Sequence, residues 1–313
     1  DIYYIILDSY TRYDVLKRFF NYDNAPFYDF LRKNGFYIAE KSYSNYQSTG
    51  LSLRSSLNMA YLDPEVIEPV MGVSNLNIAR NYEFPRVMEK KGYRYHAILS
   101  KYLGDSEIKK YLLYKQLLDF SVLYLAQHLI PINTELRRQG IEAQFSELAE
   151  VSALPEKKLV FVHILCPHPP FFVYGPNGED FSLEKIGVLP RLSQLYVYHV
   201  MYINRQVEEI IRTILQHSKT DPIIIIQGDH GSVINHSRPF GSVEDESFIR
   251  QRMSILNAYY LPGKGSQVLY STISPVNSFR VILNHYFDGN YELLKDTSWY
   301  ISRSHLGKKI TNV

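Results

Sequence analysis

Two stretches of the chain are apolar without interruption. Residues 2–7 read Ile-Tyr-Tyr-Ile-Ile-Leu, and residues 223–226 are four consecutive isoleucines preceded by Asp221-Pro222. Short unbroken runs of this kind, rich in β-branched side chains, predict strands buried on both faces of a parallel sheet. Residues 158–165 (Lys-Leu-Val-Phe-Val-His-Ile-Leu) predict a third, and 94–99 and 255–261 two more. Residues 36–39 predict a short strand. Between the strands the period changes. Tyr196, Val200, Ile203, Val207, Ile210 and Ile214 keep helical spacing over 192–216. Phe27, Phe30 and Leu31 mark a helix over 24–34, stopped by Gly35. Leu53 and Leu57 mark one that opens just after Thr49, and 274–286 predicts another.

Two further stretches carry expectations of their own. Residues 108–130 predict a long helix that ends before Pro131. Its apolar positions run round most of its circumference, which calls for deep burial, a missing upstream segment or a membrane surface. Residues 135–157 are rich in charge and predict a solvated segment.

Strands alternate with helices from end to end, so the class is α/β with a largely parallel sheet and helices on its faces. No internal repeat or low-complexity linker interrupts the pattern, and 1–313 reads as one domain. A 45% hydrophobic composition supports a large core. The net charge is +2, and no block of Lys or Arg marks a nucleic-acid surface. Cys166 is the one cysteine, so no internal disulfide forms. There is no run of eighteen apolar residues to span a membrane. The chain starts directly in a strand without Met, the expected look of a piece cut from a longer protein.

Candidate chemistry lies where the predicted strands end. Asp8 follows the first, His168 follows the third in Cys-Pro-His-Pro-Pro-Phe, and Asp229-His230 follows the isoleucines after Gln-Gly. Parallel strands place their carboxyl ends along one edge, where ligands collect in open α/β sheets. Each ending also has a plainer role: a helix cap for Asp8, a rigid turn for His168, a polar turn for Asp229 and His230. Thr49 stands at a predicted helix start, where free N–H groups attract anions, though threonine also serves there as a simple cap. A hydroxyl is a weak nucleophile unless a base or metal activates it. A divalent cation on Asp8, Asp229, His230 and Thr49 would do so, and mixed carboxylate, imidazole and hydroxyl ligands suit Zn²⁺ or Mn²⁺. Gly50 would let a phosphate approach the backbone, His168 would hold it or protonate the leaving oxygen, and His236 would contact the substrate or a second ion. His163 and His199 read as core residues, and Arg54 as lying beyond the reach of an anion.

Asp8 after the first strand, Thr49-Gly-Leu-Ser52 at a helix start and Gly-Asp229-His230-Gly late in the core resemble the alkaline phosphatase/sulfatase superfamily. Pro167-His168-Pro-Pro-Phe171 and Ala258-Tyr-Tyr-Leu-Pro262-Gly are similar to its substrate-side histidine motif and late strand. The resemblance implies a three-layer α/β sandwich over nearly the whole chain. Sulfatases oxidise a Cys or Ser in Cys/Ser-x-Pro-Ser-Arg; this stretch is Thr49-Gly50-Leu51-Ser52-Leu53, and threonine cannot yield formylglycine. Thr at the nucleophile position is similar to lipoteichoic acid synthases and phosphoethanolamine transferases, whose first-strand ligand is commonly Glu where this chain has Asp8.

That branch implies a metal-dependent phospho-transferase or phosphodiesterase acting on a phospholipid or glycan-linked phosphate. It implies a membrane anchor in an upstream segment and a location on the extracytoplasmic face of a bacterial-type cell membrane. The alternatives are a sulfate-ester hydrolase of the same fold and a non-catalytic domain that binds glycan or protein.

Overall fold

A computed structural model describes residues 1–62, 80–99, 134–168, 173–179, 191–232, 234, 246–304 and 307–312. The expected helix at 108–130 and the candidate ligand His236 lie outside the described residues.

Six strands form the main sheet: β1 (Ile2–Leu7), β2 (Tyr37–Ile38), β3 (Arg94–Ile98), β4 (Lys158–Ile164), β5 (Ile223–Gly228) and β6 (Asn257–Tyr260). Their order is β2-β6-β5-β1-β4-β3. β1 pairs in parallel with both β4 and β5, β3 is parallel to β4, and β6 and β2 add antiparallel pairings at one side. The two unbroken apolar runs and the 158–165 stretch supply the three central strands, and every residue of β1, β4 and β5 is buried.

Strand alternation divides these side chains between two cores. Tyr3, Ile5 and Leu7 join Val160, Val162, Ile224 and Ile226 on one face. There they meet helices α1 (Tyr13–Phe20), α2 (Ala25–Lys33), α5 (Thr134–Ser152) and α6 (Leu192–His217). Ile2, Tyr4 and Ile6 join Phe161 and Ile225 on the other, against α3 (Thr49–Asn58), α4 (Glu83–Lys90) and α8 (Pro275–Tyr286). The result is the three-layer α/β sandwich expected from the sequence. α7 (Glu246–Met253) precedes β6, and β7 (Trp299–Ser304) pairs with β8 (Gly307–Asn312) as a separate antiparallel ribbon.

The solvated segment expected at 135–157 is largely helix. α5 buries Ile141, Phe145, Leu148 and Val151 against the sheet. These positions are three or four residues apart and share one face, while Glu142 and Glu150 between them are exposed, so high average charge conceals a regular apolar stripe.

Candidate active site

Because β1 lies between β4 and β5, its last residue sets the level of both neighbours. Leu7 is in register with Ile164 and with Gly228, so Asp8 emerges beside the residues that follow each strand. The Asp8 N–H donates to Ile164 O at 3.0 Å, which keeps the two strand ends side by side. At Gly228 a Cβ would stand 2.3 Å from Tyr10 O, so only glycine lets the turn after β1 close against β5.

Among the described residues, Asp8, Asp229 and His230 form a group able to hold a metal, with ligand atoms all within 4.8 Å of one another. All three are buried. Asp229 Oδ1 accepts the N–H groups of Ser9 at 3.0 Å and of His230 at 2.9 Å, whereas buried Oδ2 has no hydrogen-bond partner and lies 3.4 Å from His230 Nε2. A carboxylate oxygen left bare in a protein interior is costly, and a cation would satisfy it. The donor set of two carboxylates and an imidazole fits a divalent ion of the zinc or manganese type.

Thr49 reaches the same point from the opposite layer. It is the first residue of α3, with Ser48 as the extended N-cap, and its Oγ1 lies 3.3 Å from His230 Nε2. Gly50 follows as the second residue of α3, whose opening N–H groups have no partners within the helix. His168 lies in the turn after β4, its ring centroid 6.3 Å from that of His230. Two hydrogen bonds from Arg137 Nη2 on α5, to Leu165 O at 2.6 Å and His168 O at 2.7 Å, hold this turn. Asp8, Thr49, Asp229 and His230 thus lie together, with the His168 ring near that of His230.

Three more residues join them. His163, expected to be a plain core residue, is buried in β4 but stands with Nε2 3.2 Å from Asp8 Oδ2. It shares a sheet face with Ile6 and Gln227, and it is the last position on that face before β4 ends. Arg252, at the end of α7, places Nη1 2.7 Å from His230 Nδ1 and donates to Gly231 O at 2.6 Å. Ser9 touches all three candidate ligands, with Oγ 3.3 Å from both Asp8 Oδ1 and His230 Nδ1. His199, expected to be structural, accepts the Val173 N–H at 3.4 Å from within buried α6.

Burial and charge act together here. Burial and the neighbouring Asp8 push the Asp229 carboxyl up to about 7. Burial acts on Asp8 in the same sense, but His168, His163 and His230 outweigh it and hold Asp8 well below the usual carboxylate range. Burial and the Arg252 guanidinium keep His230 far below its ordinary value, so the ring is neutral, as a metal ligand must be. Burial also lowers the pKa of His163, yet its contact with Asp8 prevails and raises it.

This architecture sets acidic and imidazole groups at the carboxyl edge of the sheet, facing a threonine at a helix start. The chain has the fold of the alkaline phosphatase/sulfatase superfamily, as comparison with solved structures shows. The C-terminal periplasmic domain of EcEptC from Escherichia coli, in its complex with Zn, superposes with a TM-score of 0.63 at 13% identity, over 99% of this chain and 91% of that one. The soluble domain of lipooligosaccharide phosphoethanolamine transferase A from Neisseria meningitidis gives 0.55 at 13% identity, over 90% and 86%. The lipoteichoic acid synthase LtaP from Listeria monocytogenes gives 0.52 at 13% identity, over 91% and 71%. No family model and no curated protein sequence matches the chain.

Proposed function

We propose that the protein is a metal-dependent phospho-transferase or phosphodiesterase with Thr49 as its nucleophile. The observation that carries this reading is the position of Thr49 Oγ1. It lies at the start of α3, 3.3 Å from His230 Nε2, beside a buried Asp8–Asp229–His230 cluster with an unpartnered carboxylate oxygen. Asp8, Asp229, His230 and Thr49 would hold one divalent ion, Zn²⁺ or Mn²⁺. When bound, such an ion supplies Lewis-acid polarisation and lowers the pKa of an adjacent hydroxyl.

The remaining roles belong to the chain. Thr49 Oγ1 forms a bond to phosphorus as its proton passes to solvent, and the ester oxygen on the far side departs. The opening N–H groups of α3, around Gly50, face the charge that grows on the phosphoryl oxygens. His168 donates a proton to the leaving oxygen. A second alcohol or water then takes the phosphoryl group from threonine. The names of the neighbours, a lipooligosaccharide phosphoethanolamine transferase and a lipoteichoic acid synthase, support a lipid- or glycan-linked phosphate ester as substrate. The periplasmic origin of the E. coli domain supports an extracytoplasmic location beside a membrane. Among the described residues no helix is long and apolar enough to cross one. Residues 1–313 would form one catalytic domain, matching the near-complete overlap with the E. coli domain.

The test compares hydrolysis of an aryl phosphodiester and an aryl sulfate by wild type, Thr49→Ala and Ser48→Ala, with thermal melts as the folding control. Phosphodiester turnover should fall by several orders of magnitude in folded Thr49→Ala. Near-normal turnover by that variant would overturn the mechanism. Loss confined to Ser48→Ala would move the nucleophile back one residue. Sulfate turnover exceeding phosphodiester turnover would make the protein a sulfatase.

A further inference from the structure

Ser9 has a backbone conformation that its side chain does not favour. Its φ is +66°, in the left-handed region, and the residue is completely buried. It occupies the third position of the turn closed by Tyr10 N–H to Leu7 O at 3.2 Å, where a positive φ normally selects glycine. Glycine there would remove the steric cost, and what serine adds in its place is a hydroxyl. The hydroxyl lies between two candidate ligands, 3.3 Å from Asp8 Oδ1 and 3.3 Å from His230 Nδ1. The main chain is fixed as well. Ser9 N–H donates to Asp229 Oδ1 at 3.0 Å, and Ser9 O accepts the Tyr196 hydroxyl at 2.8 Å. Tyr196 OH accepts the Thr11 N–H in turn at 3.1 Å, so α6 holds the turn from behind.

We infer that Ser9 is a positioning residue for the metal site, an inference that rests on the metal-dependent reading above. His230 can offer Nε2 to a cation only when its proton sits on Nδ1. Ser9 Oγ and Gly231 O, the latter at 3.1 Å, are the acceptors for that proton. Arg252 Nη1 donates toward the same Nδ1 from 2.7 Å and favours the opposite tautomer. The Ser9 hydroxyl accepts from His230 Nδ1–H and passes its own hydrogen to Asp8 Oδ1. One side chain thereby turns the imidazole toward the ion and fixes the carboxylate beside it, the role outer-shell partners play at metal centres.

The experiment is calorimetric titration of ZnCl₂ and MnCl₂ into chelator-treated wild type, Ser9→Gly and Ser9→Ala, with metal-free melting temperatures measured alongside. Both variants should bind each ion about tenfold more weakly or worse. Ser9→Gly, relieved of its strained φ, should melt at or above the wild-type temperature when metal-free. Loss of affinity without loss of metal-free stability is the pattern of positioning. Wild-type affinity in Ser9→Gly would overturn the inference and leave the metal site intact. Affinity that falls only where metal-free stability falls would reduce Ser9 to a structural role and overturn it too. Absence of binding by the wild type would instead overturn the metal-dependent reading on which it stands.

Discussion

Single residues here are constrained most tightly where strands end. Gly228→Ala would drive a Cβ to 2.3 Å from the Tyr10 carbonyl oxygen, a backbone atom that cannot swing aside. We expect a loss of roughly 1–3 kcal/mol, the ordinary cost of overpacking, measured by urea denaturation, and an unchanged midpoint would disprove the close approach. Cys166 should be chemically silent. It is fully buried, and burial pushes its thiol far above the ordinary range. A thiol reagent should label it only after denaturant is added; prompt labelling of the folded protein would contradict its placement. Asp8, Asp229 and His230 were legible as candidates because they end sharply patterned strands, and Thr49 because it opens a helix. His163 was not. Its strand is mostly apolar, and a histidine within such a run looks like one more core residue until the register pairs it with Ile6 and brings Asp8, two residues on, to its ring. Arg252 was illegible for a different reason. It reaches His230 across 22 positions, and local spacing says nothing of that distance.

At the scale of elements, the strong periodic segments appeared where expected and the mixed ones did not. The central strands and α6 have unbroken or regular apolar patterns. α5 has a stripe diluted by Glu, Arg and Gln, and the average hid the period. Its burial gives a direct check: Leu148→Ala should cost roughly 2–5 kcal/mol in chemical denaturation, as for any large-to-small change in a core. A change below about 0.5 kcal/mol, typical of a surface site, would restore the solvated reading. α5 also acts on the site through Arg137, which bonds the carbonyl of His168. Arg137→Met keeps most of the packing but removes both hydrogen bonds to the turn. Phosphodiester turnover should fall about tenfold or more, as expected when a distant contact misplaces a catalytic group, with Zn²⁺ affinity retained. Unaltered turnover would show that the turn holds its own shape.

Over the whole molecule, the approach to Thr49 is secured by residues far along the chain. Asn45 donates to Thr297 O, its carbonyl accepts the Trp299 N–H, and its Oδ1 accepts the Val276 N–H. Gln47 donates to Ile301 O, and Tyr46 packs with Leu51 and Ile301. A chain ending at residue 296 should therefore keep the sheet, as judged by far-UV circular dichroism, while losing phosphodiester turnover at least tenfold. Full turnover by the shortened chain would show that the ribbon is dispensable. These contacts were invisible in the sequence, since nothing about residues 44–48 names partners 252 and 254 positions later. They also bear on the order of events during synthesis. Thr49 precedes in the chain both strands flanking β1 and the residues that brace Asn45 and Gln47. A nascent chain thus carries Thr49 long before the residues that place it, so on the proposed reading reactivity toward phosphate esters is withheld until residue 301 has been added.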